Sequence, residues 1–158
     1  MLLAIYLNDH LAGATAGREL AKRAAANNRG QTYGAFLERL AHEVEEDRLT
    51  LLSIMRELGV GVDRFKLAAG WGAEKLGRLK LNGRVRGYSP LSRVLELEGL
   101  ILGVHGKLEL WRKLAELQST SRALTEVDLR TLIDRAERQL EELEQHSLRS
   151  ASEAFAGS

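Results

Sequence analysis

The sequence predicts an all-α protein: a four-helix bundle of two antiparallel hairpins, with a short helix in the long connection between them. Three observations predict it. Leu, Ala, Glu and Arg dominate, and one proline interrupts 158 residues, a composition that favours helix. Apolar residues recur at three- and four-residue spacing in five separate segments, which is the helical period. The connections run short, long, short, and short turns force neighbouring helices antiparallel.

The first segment spans about Leu3 to Ala26, with Leu3, Leu7, Leu11, Ala14, Ala21 and Ala25 on one side. The stretch "NNRGQ" breaks it. Thr32 is the expected cap of the second, which aligns Tyr33, Leu37, Leu40, Val44, Leu51, Met55 and Leu58. Gly59 stops it, at the position where a left-handed residue ends a helix. The third segment is shorter, with Asp63 as cap and Phe65, Ala68, Ala69, Leu76 and Leu79 as its stripe. Gly70, Gly72 and Gly77 weaken it, so it needs tertiary support. Ser89 followed by Pro90 starts the fourth, which runs to about Leu117: a capping hydroxyl, then proline where no backbone donor is missed. Thr125 is the expected cap of the fifth, lined by Leu129, Leu132, Ile133, Ala136, Leu140 and Leu143. Residues 1–150 read as one domain, and 151–158 as a tail that frays.

Composition narrows the chemistry. Without cysteine, the chain has no disulfide, thiolate nucleophile, zinc finger or iron–sulfur cluster. A net charge of +1 makes no strong case for nucleic acid. The apolar start "MLLAIYLNDH" has no basic lead and is soon interrupted, so neither signal peptide nor transmembrane segment is expected, and the expected location is the cytoplasm. No phosphate loop, nucleophile elbow or dinucleotide fingerprint is present.

In helix number, helix length and central crossover the chain resembles the ferritin-like four-helix-bundle superfamily. It is also similar to bacterial proteins that share its "YLNDHLAGATAG" start and "SPLSRVLELEGL" fourth segment, a likeness that brings no activity with it. The superfamily resemblance implies a di-iron site, with a Glu from each of two helices and Glu-x-x-His on each of the others. No Glu-x-x-His occurs here; "HEVEE" (His42 to Glu46) comes nearest and falls beside the apolar face.

What remains is polar residues on apolar faces. His10 lies between Leu7 and Ala14, and Asp47 continues the stripe of Leu40, Val44 and Leu51. Glu98 and His105, two turns apart, fall in a stripe with Leu91, Val94, Ile101, Leu102 and Leu108. If the second and fourth segments run parallel, His10, Asp47 and His105 converge in mid-bundle, with Glu98 about two turns lower. Two readings stand side by side. One is a metal site for Fe, Mn or Zn with open positions. The other is a buried network in which imidazoles partner a carboxylate. Gly13 with Gly17, and Gly99 with Gly103, form small-residue patches that either let helices approach closely or leave a gap for a ligand.

The crossover is basic. Between Arg64 and Leu95 lie Arg64, Lys66, Lys75, Arg78, Lys80, Arg84, Arg86 and Arg93 against one acid, Glu74. With Trp71 among them, they suit either an anionic partner (membrane surface, phosphate or nucleic acid) or packing against acidic "EVEED" on the second helix. A second apolar stripe on the fourth segment, Leu97, Leu100, Val104, Trp111 and Leu114, makes that helix either central or covered by another subunit. The function expected from all this is a non-enzymatic bundle that self-associates as a homo-oligomer or binds a partner. The metalloprotein and the anion binder are the alternatives.

Overall fold

Four long helices carry the part of the chain that a computed structural model describes, residues 1–64, 66, 68 and 88–156. They are α1 (Leu2–Asn27), α2 (Gly34–Glu57), α3 (Pro90–Leu117) and α4 (Leu129–Phe155). A single 3₁₀ turn, Arg122–Leu124, precedes α4, and the described residues contain no strand. Helices α3 and α4 are the fourth and fifth segments of the sequence. Of the third, Arg64, Lys66 and Ala68 are helical; Phe65, Ala69, Leu76, Leu79 and its glycines lie outside the described residues.

Side-chain pairings give the directions. Leu20 packs where Gly99 leaves room, and Arg23 reaches Glu96, so α1 and α3 are antiparallel. Tyr33 bonds Glu153 and Arg135 bonds Asp47, so α2 and α4 are antiparallel too. Helices α2 and α3 are therefore parallel, which meets the condition set for the sequence's mid-bundle cluster. The crossover leaves near the start of α1, where the Asn8 amide donates to the Gly61 carbonyl at 3.0 Å and its oxygen accepts from the Asp63 N–H at 2.7 Å. It returns at the other end of α1, where Asn28 donates to the Tyr88 hydroxyl at 2.8 Å.

Each helix end has a local cause. Ser89 and Ser92 form a reciprocal capping box with Pro90 in the first turn, which satisfies two orphan donors. Gly59, at φ +66°, ends α2 as expected. Thr32 does not cap α2. The α1–α2 turn instead closes through backbone bonds, Gln31 to Asn28 at 3.0 Å and Gly34 to Gln31 at 2.9 Å. Gly34 is required there, because a Cβ would stand 2.7 Å from the Asn28 carbonyl oxygen. Nor does Thr125 cap α4: it follows the 3₁₀ turn, and Asp128 accepts from the Thr131 N–H. Helix α4 runs to Phe155, with Ser150 buried and Glu153 held by Tyr33, Arg93 and Arg149.

The core runs along the bundle axis. Leu7, Leu11, Leu37, Leu40, Leu51, Met55, Leu97, Leu114 and Leu143 are all buried in it, each contributing about 1.5–3 kcal/mol of transfer free energy. Close packing joins α1 to α2, α1 to α3 and α3 to α4. Helices α2 and α4 face each other across a wider seam, spanned by long polar side chains that include Arg39 with Glu142 and Arg138 with Glu43.

Candidate functional site

Asp47 is the buried carboxylate the sequence pointed to, only 2 % exposed. Its partners are not imidazoles. One oxygen accepts from Lys107 of α3 and the other, at 3.0 Å, from Arg135 of α4. Lys107 also donates to Gln139, whose amide N–H donates onward to Glu43 at 2.7 Å. Burial pushes the Lys107 ammonium below its ordinary lysine value, while the Asp47 charge and hydrogen bond pull it back up.

Glu98 and His105 do not enter the bundle; both are exposed. Helix α3 is apolar around almost its whole girth, so periodicity leaves its orientation open. The second stripe faces inward throughout, with Leu97, Leu100, Val104, Trp111 and Leu114 all buried; of the first, Val94 and Leu108 are buried as well, whereas Leu91 and Leu102 are exposed. The ionisable residues on that face are Glu96 and Lys107. A signal for them existed. Glu96, Leu100, Val104, Lys107, Trp111 and Leu114 follow one another at spacings of four, four, three, four and three, which is one helix face. Glu96 accepts from Arg23 at 2.9 Å and from the Tyr88 hydroxyl at 3.0 Å. Burial, ahead of the Glu96 charge, raises the Tyr88 phenol well above its ordinary value.

His10 and Asp47 line one cleft of about 490 Å³ between α1 and α3, His10 on the α1 wall and Asp47 on the floor that α2 provides. Helix α1 supplies Tyr6, His10, Gly13 and Gly17; α3 supplies Gly103, Gly106, Lys107 and Trp111. Val44 and Leu51 join Asp47 from α2. The small-residue patches divide. At Gly99 the helices are close, and an added Cβ would lie 3.0 Å from Leu20. At Gly13, Gly17, Gly103 and Gly106 a Cβ would have nothing beyond its own helix within 4 Å. These four glycines open the cleft.

Its polar groups are few. The Tyr6 and His10 rings meet edge to face at 4.5 Å. Burial, then the nearby Lys113 charge, holds His10 below the ordinary imidazole value, which favours the neutral ring. Trp111 is 1 % exposed, and its indole N–H has no acceptor among the described residues. A mostly apolar cavity of this size with a few converging polar groups is what a small-molecule site requires. Among the described residues, no three His, Cys, Asp or Glu side chains stand together to hold a metal ion.

The basic crossover is described only at its ends. Lys66 bonds Asp9 at 2.7 Å, and Arg64 is exposed. Arg93 turns inward, lying 4.4 Å over the Tyr33 ring and bonding Ser150, Gln31 and Glu153. Lys75, Arg78, Lys80, Arg84 and Arg86, with Trp71, lie outside the described residues. No described helix is long and apolar enough to cross a membrane.

Comparison with protein-family models, with curated proteins and with solved structures finds no match to this chain.

Proposed function

We propose that this chain is a ferritin-like helical bundle that binds rather than catalyses, holding a small apolar molecule in the cleft between α1 and α3. The ferritin-like assignment draws support from the antiparallel neighbours and from the crossover that joins parallel α2 and α3. The binding role is carried by one observation: Gly13, Gly17, Gly103 and Gly106 leave both cleft walls bare around about 490 Å³. Helix interiors disfavour glycine by roughly 0.5–1 kcal/mol relative to alanine. Four glycines along one open cleft fit a retained space better than a packing fault.

The test is to fill the space. The neutral fluorophore N-phenyl-1-naphthylamine should bind the wild type saturably, with enhanced emission. Gly17→Leu combined with Gly103→Leu should abolish that signal while the protein stays folded by circular dichroism. Equal binding by the filled variant would remove the cleft from the account.

Self-association is a second reading, favoured by Leu102, which is 74 % exposed at the cleft rim. On that reading Leu102→Lys shifts the sedimentation-velocity distribution to smaller species. An unchanged distribution counts against it.

A further inference from the structure

We propose that His10 couples the cleft to pH: the cleft takes up its uncharged, apolar ligand while the imidazole is neutral and releases it when the imidazole is protonated. This deepens the binding role proposed above and rests on it.

His10 stands in the middle of one wall. Tyr6, His10, Gly13 and Gly17 all line the cleft, at spacings of four, three and four, which is one helix face. A helical side chain leans back toward the helix N-terminus. The His10 ring does so, meeting the Tyr6 ring edge to face at 4.5 Å. Past His10, α1 lines the cleft with only Gly13, Ala14 and Gly17. His10 is therefore the first large side chain of α1 that a ligand lying along those glycines meets.

An imidazolium at this place finds every nearby anion already paired. On its own helix, Asp9 bonds Lys66 at 2.7 Å. On α3, the antiparallel register set by Leu20 with Gly99 and by Arg23 with Glu96 brings Glu109 level with His10. Glu109 already holds Lys113 at 2.6 Å and Arg112 at 3.2 Å. On α2, Asp47 lies between Lys107 and Arg135, and Arg48 bonds Glu45 at 2.9 Å. Solvent reaches the half-buried His10 ring while no ligand covers it. An apolar ligand against the wall takes that solvent away, and a charge stripped of water without a partner is costly. The neutral ring loses far less. Burial, then Lys113, already opposes protonation, with Asp9 favouring it, and the ligand adds to the burial. Ligand and proton therefore compete, and each weakens the other by the same factor.

The sign and limit of the effect follow from linkage. His10 gains its proton in the free protein and not in the complex. Kd should therefore rise as pH falls below the ordinary imidazole value of 6.5, approaching about tenfold per pH unit.

The probe is N-phenyl-1-naphthylamine, which stays uncharged in this range. It is titrated into wild type, His10→Gln and His146→Gln from about pH 7.5 to 5 at fixed ionic strength, with circular dichroism at each pH. His146 packs on Phe36 and is not among the residues that line the cleft. The expected result is affinity that falls with pH in wild type and in His146→Gln, and a flat profile in His10→Gln. A fall that persists in His10→Gln assigns the proton to another group and overturns the proposal. A flat profile in wild type overturns it too. Either result leaves the cleft reading standing, whereas no binding at any pH overturns both. Should His10→Gln not fold, the ring resonances of His10 in the wild type decide. Their titration midpoint should lie lower with probe bound than without; an unchanged midpoint sinks the proposal.

Discussion

Removing Asp47 should expose how much of the bundle's stability depends on one buried ion pair. Asp47 is 2 % exposed, and the Lys107 side chain beside it is 14 % exposed. Breaking such a pair by deleting one partner costs about 3–5 kcal/mol, because a charge remains buried without compensation. In Asp47→Leu the ammonium keeps the Gln139 carbonyl, so the lower end, about 3 kcal/mol, is expected. Arg135 loses little, since it retains Glu46 at 3.0 Å near the surface. In Lys107→Met, Asp47 keeps Arg135 at 3.0 Å, and about 2 kcal/mol should be lost. The double variant removes both charges, and apolar replacement of a buried pair is often neutral. It should fall within about 1 kcal/mol of wild type, the remainder reflecting the Gln139 carbonyl left without its donor. The singles therefore predict a loss of about 5 kcal/mol if additive, against about 1 kcal/mol if coupled. Urea unfolding at pH 7 followed by circular dichroism distinguishes them. Additive losses would refute the idea that this pair acts as a unit. A pH series adds an independent sign. Burial already holds Lys107 below the ordinary lysine value of 10.5, and Asp47→Leu deepens that depression. Between the folded and unfolded values the unfolded chain binds more protons, so stability rises with pH. The variant should gain more stability than wild type as pH rises toward the ordinary lysine value of 10.5.

Four further outcomes follow from local geometry. Gly34→Ala should cost about 1–3 kcal/mol, since its Cβ would stand 2.7 Å from a backbone oxygen that cannot step aside. Gly103→Ala, with open space, should be neutral or stabilising by up to about 1 kcal/mol; paired thermal melts check both. Ser89→Ala breaks both arms of the α3 capping box and should lower stability by about 1 kcal/mol in the same melts. Burial is the main cause holding both His10 and His146 below the ordinary value of 6.5, with His146 packed 4.3 Å from Phe36. Below that value the unfolded chain protonates first, so stability should fall as pH drops from about 7.5 to 5.5. The His10→Gln, His146→Gln protein should lose most of that slope; an undiminished slope would assign it to other groups.

Where an element carried a strong local signal, the sequence alone placed it well. Ser89–Pro90 marked the start of α3, and Gly59 the end of α2, because each answers a backbone requirement no neighbour can change. The α1 and α2 stripes were legible because their buried leucines, Leu7 and Leu11, then Leu37, Leu40 and Leu51, recur at helical spacing, and Asp47 could be placed inward from them. Helix α3 was not legible. With leucines on nearly every side, Glu98 and His105 looked as inward as Glu96 and Lys107, and tertiary packing alone chose between them. Lys107 was hidden by its type, since lysine is seldom buried without a partner, and its partner lies sixty positions away. The caps at Thr32 and Thr125 failed because the turns before α2 and α4 close differently, by a tight backbone turn at Gly34 and by Asp128. The glycine patches were visible, but whether they close or open depends on how α1 and α3 diverge beyond Leu20 and Gly99, which no local pattern encodes.

The most direct test of the central claim is a ¹⁵N-resolved NMR titration of the wild type with N-phenyl-1-naphthylamine, following the glycine amides. The account predicts saturable shifts at Gly13, Gly17, Gly103 and Gly106, which line the cleft, with Gly30 and Gly59, in the turns at the helix ends, unmoved. Shifts spread evenly over the glycines, or none at saturating probe, would contradict it and make the space between α1 and α3 a gap in the packing.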